Sequence, residues 1–169
     1  PSLPLHLEPF SSRLYATGEA SAHLLGYLGK LTPEDAERIN FFEINKLVGR
    51  SGVEEVYENY LSGKIGNKLI EVDSKGDTFS EVIQRLPESG DDVYLSVDFG
   101  LQERVYNDVK AIVDARKFKG GGAVMMDVNT GEVVSLVSYP SFDPTILTKG
   151  GPRQAVDSIL ASESKQLFD

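Results

Sequence analysis

The stretch "GGAVMMDVNTGEVVSLVSYPSFDP", Gly121 to Pro144, decides how the second half of this chain is built. Val124 to Val128 and Val133 to Val137 are nearly continuous apolar runs. Runs of that kind predict two strands with both sheet faces covered. The "DVNTGE" between them supplies a tight turn, with Gly131 free to take a positive φ. Just upstream, "FGLQERVYNDVKAIVDAR" places Leu101, Val105, Val109 and Ile112 on one helical face, with Asp98 as N-cap. Before that helix, "DDVYLSVD" alternates Val93, Leu95 and Val97 against Tyr94 and Ser96, the pattern of a half-buried strand. Beyond Pro144, the spacing predicts a helix started at Pro152, with Ala155, Ile159 and Leu160 apolar.

Working toward the other end, "SGVEEVYENYLSGKIG" carries Ser51 and Glu54 at capping-box spacing. Val53, Val56, Tyr57, Tyr60 and Leu61 recur at helical intervals, so one helix ending at Gly63 is expected to pack this stripe against "HLLGYLG". "KLIEVDSKGD" reads as a strand running into a turn, and "LPESGDD" as a loop that bounds two regions. "LTPEDAERIN", with Thr32 as N-cap and Pro33 at the first helical position, predicts a short helix. The opening "PSLPLHLEPFSSRLYATGEA" suits coil or an edge strand. The fold class is therefore α+β, with a boundary near residue 90.

Charge and composition narrow the function. The 169 residues carry a formal net charge of −9, which repels nucleic acid and anionic membrane surfaces. The absence of cysteine removes disulfides and thiolate metal sites, and His6 and His23 are the two imidazoles. A lone His23 among apolar neighbours reads as a hydrogen-bonded structural group. Glu54, Glu55 and Glu58 read as a solvated acidic helix face. "KGGG", Lys119 to Gly122, is a helix-to-strand joint, because a phosphate loop needs its lysine after the glycines and at a helix start. "SESK", Ser162 to Lys165, has the spacing of an activated serine one helical turn from a lysine. Its companion triplets are missing, so a solvated helix face is the reading.

Four stretches together resemble the class B penicillin-binding proteins, the transpeptidases that cross-link peptidoglycan. "RLYATGEASAHLLGYLGK" carries Arg13, Tyr15, Gly18, His23, Gly26, Tyr27 and Gly29 of one family segment. "GRSGVEEVYENYLSGKIG" carries Gly49, Gly52, Glu54, Leu61, Gly63 and Gly66 of another. "DDVYLSVDFGLQERV" is similar to the lead-in of the transpeptidase domain, and the hairpin of Gly121 to Pro144 to its opening strands.

The resemblance implies a non-catalytic pedestal over residues 1–90 and the N-terminal portion of a transpeptidase domain over residues 91–169. It implies a membrane anchor and an arginine-rich segment upstream of Pro1, a nucleophilic serine beyond Asp169, and an extracytoplasmic setting. Cell-wall glycosyltransferase and scaffold proteins are the implied partners of the pedestal; stem peptide and β-lactams would meet only the intact parent. No cofactor, metal or nucleic acid is expected, and no catalytic residue within this chain. Arg13, Gly18, His23, Gly26, Gly49, Gly52, Glu54, Gly63 and Gly66 are the expected structural residues, with Arg13 as ion-pair partner of Glu54. The rival reading is a free-standing interaction module of the cell envelope.

Overall fold

The computed structural model describes residues 12–32, 35, 47–76 and 78–161. His6, most of the helix expected from Pro33, and the Ser162 to Lys165 stretch lie outside these residues. The architecture is α+β. A 3-10 turn, Gly18–Ser21, runs into a one-turn helix α1, Ala22–Leu25. Strands β1, Leu28–Lys30, and β2, Leu47–Gly49, then pair antiparallel.

Two short helices come next, α2, Gly52–Val56, and α3, Glu58–Leu61, with Tyr57 breaking the run. The single helix expected here does not form, and its apolar stripe does not face inward. Val56 is 72% exposed, and Tyr57 and Tyr60 face solvent as well. α1 meets the backbone of α2 instead, through a pair of glycines. Gly63, at φ +60, ends this region as expected.

Strands β3, Asn67–Val72, and β4, Thr78–Arg85, form a hairpin exposed on both faces. Its pairing slips at both ends, between Asn67 and Lys68 and between Glu71 and Val72. Such irregularities, with Lys68 paired to Glu81 across the strands at 3.1 Å, blunt an edge that would otherwise template aggregation.

The long helix α4, Phe99–Arg116, starts where the sequence places it: the Asp98 carboxylate accepts from Leu101 N at 2.9 Å. Its buried face is shifted from the expected one. Gln102, Tyr106 and Val113 are buried, whereas Ile112 is 58% exposed. A polar residue at the centre of the true face misdirects the apolar pattern. The segment before α4 covers Val93, Leu95 and Val97 more than Tyr94 and Ser96, but forms no strand. It touches the sheet beyond α4 through Asp98 N to Val134 O and Ser96 Oγ to Val133 O.

That sheet is the hairpin of β5, Gly121–Met126, and β6, Val133–Tyr139, in register from Gly121↔Tyr139 to Met125↔Ser135 and shifted before Met126↔Val133. Asp127 holds the turn by accepting from Asn129 N and Thr130 N, which lowers its pKa, and Gly131 takes φ +78. The expectation that both faces are covered fails: only one face of β6, with Ser135 and Val137, is buried, while Leu136 on its other face and Val124, Met125, Met126 and Val128 on and beyond β5 are exposed. Helices α5, Pro144–Lys149, and α6, Arg153–Leu160, close the fold. Ile159 of α6 is buried as its spacing suggests, but Leu160 is not.

Two small cores result, and each joins early residues to late ones. Ala20 packs with Tyr106 and Val137; Ala22 packs with Phe142 and Ile159.

Candidate functional site

The joint between α1 and α2 is made by glycines. Gly26 takes φ +80 and Gly52 φ +60, conformations that L side chains rarely adopt. A Cβ on Gly52 would lie 2.5 Å from Leu24 O and 2.8 Å from Gly26 N, and one on Gly26 would overlap the Ser51 carbonyl. Backbone therefore packs on backbone, and Arg50 N donates to Tyr27 O at 2.9 Å beside the contact. Gly49, which a Cβ would drive into the Glu54 carbonyl, lets β2 approach α2 equally closely.

This closeness carries Glu54 inside. It is 7% exposed, and its Oε1 lies 3.0 Å from Arg13 Nε. Two expectations fail here. Ser51 makes no side-chain cap bond, and Glu54 turns to Arg13 and not back to its own N-terminus. The solvated acidic face is likewise reduced to Glu55, since Glu58 Oε2 accepts from Gly49 N at 2.9 Å. Burial pushes the Glu54 carboxyl above its ordinary value, and the nearby Arg13 charge opposes that only in part. Glu54 Oε2 is buried without a hydrogen-bond partner among the described residues.

From the same region a set of long-range bonds reaches the second half. Gln102, with no exposed surface, donates from Nε2 to Ala20 O at 2.8 Å and to Leu136 O at 2.5 Å. Its Oε1 accepts from Ser135 Oγ and Leu136 N, each at 2.9 Å. All four hydrogen-bonding positions of the amide are thereby used. Thr148 Oγ1 accepts from Leu28 N at 3.1 Å and sits 3.2 Å from the Tyr15 hydroxyl, whose pKa burial raises. Tyr106 donates to Glu19 Oε2 at 3.0 Å, and burial together with that carboxylate raises its pKa far above the ordinary phenol range. Ser141 Oγ donates to Glu19 O at 2.7 Å.

His23 makes contact with the second half of the chain. Its Nε2 lies 3.3 Å from Pro140 O, and its ring meets Phe142 edge-on at 5.4 Å. Gly18 sits in a turn at φ +49, bonded from its N to Tyr15 O. Gly63 packs closely against Glu88 to Gly90 and Gly66 against Arg85 and Pro87, away from the Gly26 and Gly52 contact. Of the nine residues, Arg13, Gly26, Gly49, Gly52 and Glu54 meet at one joint, Gly63 and Gly66 at a second contact near residues 85–90, and Gly18 and His23 stand outside both.

Sequence reasoning missed Gln102, Thr148 and Glu19, and the short helix α5. The last had a readable signal: Asp143 before Pro144 is an N-cap before a proline at the first helical turn, and Asp143 Oδ1 accepts from Thr145 N at 2.8 Å. Among the described residues, no helix is long and apolar enough to cross a membrane.

Residues 3–95 match the family model of the penicillin-binding protein dimerisation domain. The chain belongs to the class B penicillin-binding proteins. It is 32% identical to the peptidoglycan D,D-transpeptidase MrdA of Acinetobacter baumannii over 98% of this chain and 24% of that protein. With the peptidoglycan D,D-transpeptidase FtsI of Escherichia coli K12 it shares 32% over 90% of this chain and 23% of the relative. With penicillin-binding protein 3 of Bacillus subtilis it shares 35% over 79% and 19%. This penicillin-binding protein chain therefore spans a quarter or less of these three relatives. The match to residues 3–95 covers the glycine joint, Arg13, Glu54 and the exposed hairpin; the pairwise similarities extend over α4 and the β5–β6 hairpin as well.

Proposed function

We propose that residues 1–90 are the non-catalytic pedestal of a class B penicillin-binding protein, and residues 91–169 the opening elements of its transpeptidase domain. The pedestal positions that domain for peptidoglycan cross-linking and offers a surface to a cell-wall glycosyltransferase and scaffold proteins. The intact parent works outside the cytoplasm, held by an N-terminal membrane helix. Its serine attacks the D-Ala-D-Ala stem peptide, releases D-alanine, and passes the acyl group to an amine of a neighbouring strand; β-lactams acylate the same serine.

The observation that carries the positioning role is the shared core. Tyr15, Glu19, Ala20, Ala22 and Leu28 are bonded or packed into α4, β6, α5 and α6. A pedestal tied in this way transmits its own orientation to the transpeptidase elements, because packed cores have low compressibility. The free-standing module is the weaker alternative, since Val124, Met125, Met126 and Val128 leave an apolar sheet face uncovered.

Two measurements test the proposal. Incubated with a fluorescent penicillin, the 169-residue chain should take no covalent label; labelling that Ser162→Ala abolishes would make Ser162 a nucleophile and overturn the non-catalytic reading. Immobilised, the chain should capture a detergent-solubilised peptidoglycan glycosyltransferase, and failure to do so would remove the partner surface.

A further inference from the structure

An open groove runs between α3 and residues 87–94, with Leu61, Pro87, Asp91, Asp92, Val93 and Tyr94 in its lining. It is preformed: Asp91 N donates to Tyr60 O at 2.7 Å, and Lys64 and Glu88 exchange backbone bonds at 2.9 and 3.0 Å. Gly90 packs directly on the Leu61 carbonyl. Beside the groove, the outward face of α2 and α3 presents Val56, Tyr57 and Tyr60, with the two rings 6.3 Å apart, and Tyr94 is 91% exposed.

The charges are one-sided. Among the described residues that line the groove, Glu88, Asp91 and Asp92 face a single base, Arg13. Arg13 is engaged by Glu54, and Glu88 by Lys64 at 2.7 Å. Asp91 and Asp92 have no ion-pair partner among the described residues, and Glu55 adds a further exposed acid on α2. We infer that this groove and the tyrosine face beside it dock an extended protein segment bearing lysine or arginine between apolar residues. Exposed aromatic rings are enriched where proteins meet, and their faces attract cations. A rigid groove adds little ordering cost on binding. Two carboxylates with no ion-pair partner among the described residues select a cationic peptide over an anionic or neutral one.

The inference deepens the reading of this region as a partner surface and rests on it. The test is amide chemical-shift mapping of the isotope-labelled chain with three probes: a nonapeptide alternating lysine, leucine and glycine, its glutamate counterpart, and chitotetraose. The lysine peptide should shift Tyr57, Tyr60 and Asp91 to Tyr94. Its affinity should fall about fivefold in Asp91→Asn with Asp92→Asn, and stay unchanged in the charge-matched pair Glu103→Gln with Asp108→Asn on α4. Shifts confined to other elements, equal loss in both double variants, or binding of the glutamate peptide or the glycan in the same groove would overturn the assignment. If the chain still captures the glycosyltransferase while the lysine peptide leaves the groove untouched, the partner surface stands and only this location is refuted.

Discussion

Replacing Gln102 with leucine removes an amide whose four bonds hold the 3-10 turn, α4 and β6 together, while keeping roughly its volume. The variant leaves Ala20 O, Leu136 O and Leu136 N without their amide partner in a site that excludes water; only Ser135 Oγ can rotate toward a new partner. Each orphaned buried group costs about 1–3 kcal/mol. Three of them sum to roughly 3–9 kcal/mol before any relaxation, against a total stability of about 5–15 kcal/mol for a domain. Gln102→Glu separates this account from simple loss of packing. Its carboxylate keeps the two acceptor bonds but faces Ala20 O and Leu136 O without a proton, so its folded-state pKa is raised, and its stability should rise as pH falls through that value. Urea unfolding followed by circular dichroism, from pH 5 to pH 8, measures both effects. Losses below about 1 kcal/mol in the leucine variant, or a glutamate variant with no added pH dependence, would refute the reasoning.

Gly52→Ala combines φ +60 with a Cβ 2.5 Å from Leu24 O and should cost about 2–4 kcal/mol. Gly76→Ala, at φ +89 in open space, should cost about 1–2 kcal/mol, and thermal melts compare the two. Thr148→Val strips the acceptor from Leu28 N and the partner from the Tyr15 hydroxyl, for about 1–3 kcal/mol; a double-mutant cycle with Tyr15→Phe should show non-zero coupling. Because the folded-state pKa of Glu54 is raised above its ordinary value of 4.5, the native state binds more protons than the unfolded one just above that value. Its contribution to stability therefore grows as pH falls through the folded pKa, and Glu54→Gln should be more damaging at pH 5 than at pH 8 in paired urea titrations. Asp35 has the opposite sign: the Thr32 amide and Arg50 lower its pKa to about 2, so its contribution is lost as pH falls from 3.8 toward that value.

Local chemistry was legible and tertiary choice was not. Asp98 before α4 and Asn-Thr-Gly in the β5–β6 turn act within a few residues, so the sequence states them directly. The face of α4 is a different matter. Gln102 reads as a surface residue until Ala20 and Leu136 are known to surround it, and no periodicity can supply partners 82 and 34 residues away. The stripe of Val56, Tyr57 and Tyr60 misled for a related reason. Apolar spacing marks a face without saying which way it turns, and the glycine contact at Gly26 and Gly52 turned this one outward. Glu54 was legible as the partner of Arg13 through family resemblance; its position on a helix with Glu55 and Glu58 pointed to solvent instead.

The threading of residues 15–30 through cores built mainly from α4 onward has a consequence in time. A chain made from its N-terminus emits Ala20 82 residues before Gln102, which at about 5–20 residues per second is a wait of about 4–16 s. Throughout that interval the late half of each core is still to be made. The composition of the early half suits the delay: "GEASAH", Gly18 to His23, is small and polar enough to remain unclaimed in water, and its burial comes from close fit with Tyr106, Val137 and Phe142. This early segment is therefore synthesised first and completed last, when the residues of α4, β6, α5 and α6 arrive to close around it.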